Sequence, residues 1–300
     1  MKESDLTVIF ITLNEEFHIG AAIDNVKSIA KDIFVVDSLS VDKTVDVALE
    51  KGAKVVQRPF TNFGDQWNFA LEKLPIRTKW TMKMDPDERL SDELKDEIRQ
   101  ALENPGSVTG FEFDRILWFM GRCLPGWRDS VVRIWKTNAC RFTNIAVNEH
   151  PLVDGRVRRL HHVMNHLDSQ DLYHWFKKQN EYLPAEAIRR YKGEALADEP
   201  KFWGTKLQRH MWFKKVFFKL PFRYTLMFFQ LYFGKGLWKL GMTGLWCVRM
   251  RIWARQSVEC AVQEMKNTGR LISLPKRDTG DYHPAVAASD LQRQVCGGNC

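Results

Sequence analysis

The chain has 300 residues and a mass of 35.1 kDa, with 44% hydrophobic and 27% charged residues. These values are typical of globular proteins and exclude a wholly disordered or collagen-like chain. Six cysteines are too few for a disulfide scaffold, and the opening MKESDLTVIFITLNEE lacks the apolar stretch and cleavage site of a signal peptide. We therefore expect a cytoplasmic chain with reduced cysteines.

The net charge of +8 is distributed unevenly along the chain. Residues 201–255 contain twelve Lys or Arg, no Asp or Glu, and fifteen of the 36 aromatic residues. The rest of the chain carries 33 basic and 37 acidic residues, a balance of −4. The composition therefore predicts a mildly acidic domain followed by a basic, aromatic one.

The first hundred residues alternate short apolar runs with helix-like stretches, which is typical of βα units on a parallel sheet. The runs expected to form strands are Leu6–Thr12, Ile33–Asp37, Ala53–Gln57 and Trp80–Asp85. A helix is expected to follow the first strand and to end near Ala30. Further helices are expected at Val41–Lys51, Gly64–Leu74 and Ser91–Leu102, with Ser91 as N-cap. Later strands are expected at Thr109–Asp114, Val131–Trp135 and Arg156–His162, and a loose polar tail from about Gly280.

The ends of the predicted strands are informative, because ligands of open α/β sheets bind beyond the carboxyl ends of the strands. Neither GxGxxG after the first strand nor GxxxxGK[ST] anywhere is present, so dinucleotide and P-loop interpretations lose their main support. The ends instead read TLNE, DS and DPDE. Two Asp residues one position apart can hold a hard divalent cation that binds a diphosphate, although Asp and Ser are also ordinary turn residues.

Six stretches together resemble the family 2 glycosyltransferases with the GT-A fold, and most closely the lipopolysaccharide-core β-1,4-glucosyltransferase-like branch. They are TVIFITLNEE, FVVDSLSVDKTVDVA, WTMKMDPDE, FMGRCLPGWRDSVVRIWK, RFTNIAVNEHPLVDG and NHLDSQDLYHWFKKQNEYLPAEA, over roughly residues 6–190. Two positions depart from the family pattern. Leu39 stands where the family often has Gly, and Pro86 fixes φ between the two carboxylates where the family has a small residue.

The resemblance implies an α/β fold of GT-A type, with a Rossmann-like, mostly parallel sheet flanked by helices. We expect the catalytic domain over residues 1–195, with a nucleotide-sugar half at about 1–105 and an acceptor half at about 106–195. A helical, basic-aromatic segment at 196–270 and a flexible tail at 271–300 are expected to follow. The implied activity is metal-dependent, inverting hexosyl transfer from a UDP-sugar to a lipid-linked glycan, such as lipopolysaccharide core or another cell-surface polysaccharide.

Within this resemblance, the nucleotide-sugar site is expected at the strand ends. Thr12, Asn14 and Glu15 are expected to lie against the nucleotide, and Asp37 to accept hydrogen bonds from the uracil ring or the ribose. Asp85 is expected to face the ribose and the donor sugar. These assignments follow from the positions of TLNE, DS and DPDE in the family pattern.

The resemblance also implies the catalytic groups. Asp87, with Asp85 beside it, is expected to bind Mg²⁺ or Mn²⁺ on the UDP diphosphate. Glu149, in VNEH, occupies the position of the family's catalytic base, which removes a proton from the acceptor hydroxyl. Asp129, in GWRDS, is the alternative base or a group that orients the acceptor.

Basic and imidazole side chains near these motifs allow more than one interpretation. Arg128 and Arg133 are expected either to contact the diphosphate or to be charges on a strand surface. His161, His162 and His166 suggest a zinc site, since His162 and His166 would share one face of a helix, but no Cys or third ligand falls at metal spacing. The family pattern accounts better for His166, since it has a His there, leading into a helix at Gln170–Arg190.

Residues 201–255 contain no apolar span of 18 residues, the longest candidate being Tyr224–Gly234, so a transmembrane helix is not expected. Lys and Arg interleaved with Trp and Phe suit a helix in the lipid headgroup layer. A core-packing helical subdomain and a nucleic-acid surface are alternatives. The acidic loops upstream favour an anionic membrane with a lipid-linked acceptor over nucleic acid, and hence a peripheral location on the inner face of the cytoplasmic membrane. The alternative function is a non-catalytic membrane- or RNA-binding protein on a degenerate transferase fold.

Overall fold

The computed structural model describes residues 4–143, 150–193, 201–204, 206–217 and 220–297. These residues form two compact units. The first unit comprises the described parts of Met1–Trp118, Arg128–Asp168 and Arg277–Cys300, and the second those of Phe119–Trp127 and Ser169–Lys276. This division differs from the expected boundary near residue 195, because the chain crosses between the units more than once.

The described strands, in chain order, are β1 (Leu6–Thr12), β2 (Asp32–Asp37), β3 (Lys54–Gln57), β4 (Trp80–Met84), β5 (Glu88–Leu90), β6 (Gly110–Phe119), β7 (Arg122–Lys136), β8 (Cys140–Phe142), β9 (Pro151–Val153) and β10 (Val157–His166). One sheet has the order β3-β2-β1-β4-β7-β6-β10-β5, and β8 pairs with β9. The pairs β3–β2, β2–β1, β1–β4 and β6–β10 are parallel, whereas β4–β7 and β5–β10 are antiparallel. The expected α/β class with a mostly parallel central sheet is confirmed.

The described α-helices, in chain order, are α1 (Glu16–Val26), α2 (Thr44–Glu50), α3 (Phe63–Lys73), α4 (Asp92–Glu103), α5 (Leu172–Tyr191), α6 (Lys206–Phe217), α7 (Arg223–Phe229), α8 (Met242–Thr268), α9 (Pro284–Ala287) and α10 (Asp290–Cys296). Ser91 caps α4 as predicted, since its hydroxyl accepts a hydrogen bond from the Leu94 N–H at 3.2 Å. Each helix of the first hundred residues follows its strand, so the predicted βα alternation is confirmed.

The core of the first unit lies on both faces of the sheet, as the apolar strands require. Alternate residues of β1 point to opposite faces: Val8 and Phe10 lie in one buried cluster with Ile23, and Ile9 lies in the other with Trp67. Strands β5, β8 and β9 were not predicted, because three residues are too few to show a periodic pattern.

The C-terminal segment, residues 277–296, differs from the flexible tail expected there. Its two short helices, α9 and α10, place Val286 in one core cluster of the sheet and Val295 in the other. Gln292 has no exposed surface. The polar composition of the segment concealed these buried side chains.

The second unit is helical over most of its described length. Helices α5 and α8 share a small core of Ala187, Val258 and Met265. A π-helical turn, Gln230–Gly234, continues α7, and a 3₁₀ turn, Leu237–Leu240, precedes α8. Among the described helices, none combines the length and the apolar character that crossing a bilayer requires.

Candidate active site

Thr12 and Asp37 end the two neighbouring strands β1 and β2 and lie opposite each other in the parallel register. The Thr12 hydroxyl donates a hydrogen bond to Oδ1 of Asp37 at 2.8 Å, and both residues are buried. The structure therefore brings these two predicted site residues together at the carboxyl edge of the sheet.

The Asp37 carboxylate is enclosed by protein donors. Oδ1 accepts hydrogen bonds from the hydroxyls of Thr12 and Ser40, at 2.8 and 2.5 Å. Oδ2 accepts from the Ser40 N–H at 2.9 Å and from Nε2 of Gln57 at 2.8 Å. Since Asp37 also has no exposed surface, it joins the ends of three strands to the loop after β2.

Asn14 links the loops that follow β1 and β2. Its backbone adopts a left-handed conformation with φ of 54°, which Asn tolerates better than most residues. Its N–H donates to the Ser40 hydroxyl at 2.8 Å, and its Oδ1 accepts from the Val41 N–H at 2.9 Å. The neighbouring Glu15 donates its N–H to the Thr44 hydroxyl at 2.7 Å and leaves its side chain partly exposed.

Asp87, His166 and Asp168 form a cluster that could hold a metal ion, with one ligand atom from each within 4.8 Å of the others. Nε2 of His166 lies 3.3 Å from Oδ2 of Asp87. The antiparallel pairing of β5 with β10 places His166 opposite Glu88, next in sequence to Asp87, and so assembles the cluster. Burial lowers the pKa of His166, but the Asp87 carboxylate outweighs this and raises it above its usual value.

The donor set of this cluster fits Mg²⁺ or Mn²⁺. Carboxylate oxygens are the ligands that hard divalent cations prefer, and an imidazole nitrogen suits Mn²⁺ better than Mg²⁺. The expected ligand Asp87 is in the cluster, whereas Asp85, the second expected ligand, is not among its described members.

Asp85 instead faces two cations. Its Oδ2 accepts a hydrogen bond from Nη2 of Arg133 at 3.0 Å, and its Oδ1 lies 4.0 Å from Nζ of Lys83. Burial alone would raise the pKa of Asp85, but Lys83 and Arg133 together lower it to about 2. The Asp85 carboxylate is therefore ionised at physiological pH, with about a third of its side chain exposed.

Glu88 and Arg133 form a buried ion pair behind this turn, and neither was given this role from the sequence. Glu88 has no exposed surface, and Arg133 is 5% exposed. Oε2 of Glu88 accepts the Asp85 N–H at 2.9 Å, while Oε1 pairs with Arg133 and, at 3.4 Å, with Arg115. Burial raises the pKa of Glu88, and Arg133 offsets only part of that increase. The Arg133 guanidinium, expected at the diphosphate or on a strand surface, is engaged by two carboxylates.

The remaining predicted residues are Arg128, Asp129 and Glu149. Arg128 is exposed, and Asp129, whose side chain is 58% exposed, lies 3.9 Å from Arg115. Glu149, the expected base, lies outside the described residues.

The histidines considered for zinc divide between two places. His162 lies in a strand, not a helix, and its Nδ1 is 2.8 Å from Oε2 of Glu97. The same carboxylate accepts the N–H groups of His161 and His162 at 2.9 to 3.0 Å, where β10 is irregular. His162 and His166 therefore belong to separate contacts.

Two further residues of the site escaped the sequence reasoning. Gln57 is the polar last residue of β3, and its place at a strand end is the same signal that marks the residues after β1, β2 and β4. Lys83 is a charge inside the buried strand β4, with Nζ 4.7 Å from the ring centre of Trp67 and 5.4 Å from that of Phe142. A cation in a buried strand is itself a signal of a nearby site.

Comparisons with known proteins agree with the family resemblance. Residues 7–150 match the family described as glycosyl transferase family 2. An uncharacterized glycosyltransferase of Rickettsia typhi is 27% identical over 229 residues, which cover 71% of this chain and 76% of that protein. A lipopolysaccharide core biosynthesis glycosyltransferase of Rhizobium meliloti is 26% identical over 257 residues, which cover 80% of this chain and 84% of that protein.

Among solved structures, a glucosyl-3-phosphoglycerate synthase from Mycobacterium tuberculosis, in complex with Mn²⁺, UDP and glucosyl-3-phosphoglycerate, is 21% identical with a TM-score of 0.31. That match covers 38% of this chain and 44% of the synthase, so this chain spans less than half of the solved structure. The family match covers the strand ends that carry Thr12, Asp37, Asp85 and Asp87. Residues 7–150 thus resemble a family 2 glycosyltransferase domain, and relatives named as glycosyltransferases match most of the chain.

Proposed function

We propose that this chain is a metal-dependent, inverting glycosyltransferase that moves a hexose from a UDP-sugar to a lipid-linked glycan. The observation that carries the proposal is the cluster of Asp87, His166 and Asp168 next to the ionised Asp85, in which Asp85 and Asp87 lie within the residues that match the glycosyl transferase family 2 model. A relative named for lipopolysaccharide core biosynthesis supports lipopolysaccharide core, or another cell-surface polysaccharide, as the acceptor.

Asp87, His166 and Asp168 are the residues that would hold Mg²⁺ or Mn²⁺. When bound, such a cation stabilises the negative charge of a departing diphosphate. Asp85 takes the role of facing the ribose and the donor sugar, because Arg133 and Lys83 hold it ionised and in place. The loops after β1 and β2, with Thr12, Asn14 and Glu15, take the nucleotide.

Inversion requires one carboxylate on the acceptor side. That base removes the proton of the acceptor hydroxyl as its oxygen attacks the anomeric carbon and the bond to UDP breaks. Glu149 takes this role in the proposal, with Asp129 as the alternative. Asp129 suits a group that meets the acceptor because its side chain is largely exposed.

The test is release of UDP or GDP from nucleotide sugars, measured with UDP-glucose, UDP-galactose, UDP-N-acetylglucosamine and GDP-mannose in the presence of Mn²⁺. We expect release from a UDP-sugar, loss of release with EDTA, and recovery with added Mn²⁺. The variant Asp87→Asn should be inactive, whereas the matched control Asp290→Asn, at a side chain that is 98% exposed, should keep full activity. Binding of vesicles or RNA without turnover of any donor would favour the non-catalytic alternative.

We further propose that the second unit binds an anionic membrane at the cytoplasmic face. Phe222, Leu226, Phe229 and Phe233 are between 53% and 82% exposed. The spacing of three and four residues places Leu226, Phe229 and Phe233 on one face of α7 and the π-helical turn, and Phe222 immediately precedes this helix. An exposed apolar face in a segment with twelve cations and no acids is typical of a helix that lies in the headgroup layer. Nucleic acid is a less suitable partner, since the domain it accompanies is a glycosyltransferase.

A further inference from the structure

The C-terminal segment contacts the strand ends that carry the candidate nucleotide residues. The backbone carbonyl of Asp278 accepts a hydrogen bond from Nδ2 of Asn14 at 2.8 Å, in the loop after β1. The Gly280 N–H donates to the Leu39 carbonyl at 2.9 Å, in the loop after β2. One short stretch near the end of the chain therefore holds both loops.

The same segment fixes the end of β3 through a pair of glutamines. The side-chain amide of Gln292 bonds both backbone groups of Gln57: Oε1 accepts the Gln57 N–H at 2.9 Å, and Nε2 donates to the Gln57 carbonyl at 2.7 Å. Neither glutamine has exposed surface. The Gln292 amide thus takes the place of a neighbouring strand at this position.

The side chain of Gln57 carries this constraint to Asp37. Its Oε1 accepts the His283 N–H at 2.6 Å, and its Nε2 donates to Oδ2 of Asp37 at 2.8 Å. Because a backbone N–H can only donate, His283 determines which end of the amide points to Asp37. An unbroken series of hydrogen bonds therefore runs from Gln292 through Gln57 and Asp37 to Thr12.

Two residues that the segment contacts have a left-handed backbone conformation, which residues other than glycine rarely adopt. Asn14 has φ of 54° and Leu39 has φ of 65°. Such conformations persist where the surrounding structure determines them, and they concentrate at functional sites. The hydrogen bonds that Asn14 and Leu39 form with Asp278 and Gly280 help to determine these two backbone conformations.

We propose that Gln57, fixed by Gln292 and His283, is a positioning residue of the donor site, and that the C-terminal segment orders the two nucleotide-binding loops. The ligand in this inference, a uridine diphosphate, rests on the proposed function. The inference goes beyond that function because it makes donor affinity depend on a helix more than 200 residues away in sequence from the loops it controls.

The test is the variant Gln292→Leu, which replaces the amide with an apolar side chain of similar volume and removes both hydrogen bonds to Gln57. Amide hydrogen exchange in peptides covering residues 12–16 and 37–42 should become faster, while exchange in α4 stays unchanged. The Kd for UDP with Mn²⁺ should rise about tenfold, as expected for the loss of one or two hydrogen bonds. The effect should appear in KM for the donor and spare kcat.

Two further variants make the result specific. Arg293→Leu changes the next residue of α10, whose side chain is 61% exposed and pairs with Asp290, and it should leave exchange and UDP affinity as in the wild type. Gln292→Asn keeps a neutral amide but shortens its reach by one methylene, which should weaken both hydrogen bonds to Gln57. It should give a smaller effect in the same direction, and it serves if Gln292→Leu does not fold.

Each outcome decides a separate question. Unchanged exchange in both loops of a folded Gln292 variant overturns the inference whether or not the protein binds a nucleotide. Faster exchange with unchanged UDP affinity overturns the positioning role of Gln57. Failure of the wild type to bind UDP with Mn²⁺ counts against the proposed function, while the exchange data still decide whether the segment orders the loops.

Discussion

Nη2 of Arg133 lies 3.0 Å from Oδ2 of Asp85, and the same guanidinium pairs with Glu88. One turn therefore presents two carboxylates in different surroundings: Asp85 meets a guanidinium, and Asp87 meets the imidazole of His166. The turn itself keeps the two carboxylates apart: the Asp85 N–H donates to Oε2 of Glu88, and the Asp85 carbonyl accepts the Glu88 N–H. The two aspartates are consequently suited to different tasks.

The variant Arg133→Met should destabilise the protein strongly. It removes the guanidinium that pairs most closely with the buried carboxylate of Glu88 and leaves Arg115, at 3.4 Å, as a more distant partner. Removing one partner of a buried ion pair typically costs about 3–5 kcal/mol, and we expect a loss in that range in urea unfolding. The double variant Arg133→Met/Glu88→Gln should recover part of it, since no buried charge then remains unpaired at Glu88. A cost below about 1 kcal/mol for the single variant would contradict the buried-pair description.

Metal affinity should depend on Asp87, His166 and Asp168 and much less on Asp85. The variants Asp87→Asn, His166→Ala and Asp168→Asn each remove one possible ligand, so each should weaken Mn²⁺ binding by at least about tenfold in calorimetric titration. The control His162→Ala, whose ring contacts Glu97, should bind Mn²⁺ as the wild type does. Loss of binding in Asp85→Asn together with normal binding in His166→Ala would move the metal site to the Asp85 side.

The base should be identifiable from kinetics. If Glu149 removes the acceptor proton, Glu149→Gln should lower kcat by about 10²–10⁴-fold. The affinity for UDP should stay close to that of the wild type, because the base acts on the acceptor. Asp129→Asn is the paired variant, and it should retain most of kcat. The opposite pattern would exchange the two roles.

Glu97 should stabilise the fold in a pH-dependent way. Burial alone would raise the pKa of Glu97, but the N–H groups of His162 and His161 and the His162 ring outweigh it, so this pKa is lowered from 4.5. A carboxyl whose pKa falls on folding adds stability above its unfolded pKa and loses it as pH falls through the folded value. Glu97→Gln should therefore cost about 1 kcal/mol at pH 7 in thermal or urea unfolding. The difference from the wild type should shrink below about pH 4, and a constant difference across this range would show that charge is not involved.

Membrane binding should require the aromatic face of α7 and the π-helical turn. The double variant Phe229→Ser/Phe233→Ser removes two half-exposed rings, and its partitioning into phosphatidylglycerol vesicles should fall about tenfold or more. The control Tyr173→Ser removes an aromatic side chain that is 85% exposed on α5, and it should bind normally. Added salt should weaken wild-type binding only in part, since ring insertion is not screened. Equal vesicle binding by the double variant and the wild type would place the membrane contact elsewhere.

The sequence was most informative where structure is local. The run Leu6–Thr12 is apolar and ends in polar residues, and β1 has the same bounds. Ser91 was identified as an N-cap because capping depends on a few adjacent residues. Asp87 could be proposed as a ligand for a similar reason, since DPDE is a short motif at a strand end, and it lies in a cluster that could hold a metal ion.

The rest of the site depends on contacts between distant residues. Gln57 and Gln292 are 235 positions apart, and no periodicity or motif joins them. Glu88 was visible as an acid, but its burial against Arg133 follows from the antiparallel packing of β7 on β4. The cluster of Asp87 with His166 likewise depends on the pairing of β5, a strand of three residues, with β10.

The pairing of Gln292 with the backbone of Gln57 has a consequence for self-association. Strand β3 lies at the edge of the sheet, and an uncovered edge strand is a template on which another chain can add a strand and aggregate. The Gln292 amide occupies both the donor and the acceptor that Gln57 would offer to such a strand. Proteolytic loss of α9 and α10 should therefore yield a protein that precipitates through β3. These two helices thus protect the edge of the sheet from pairing with another chain.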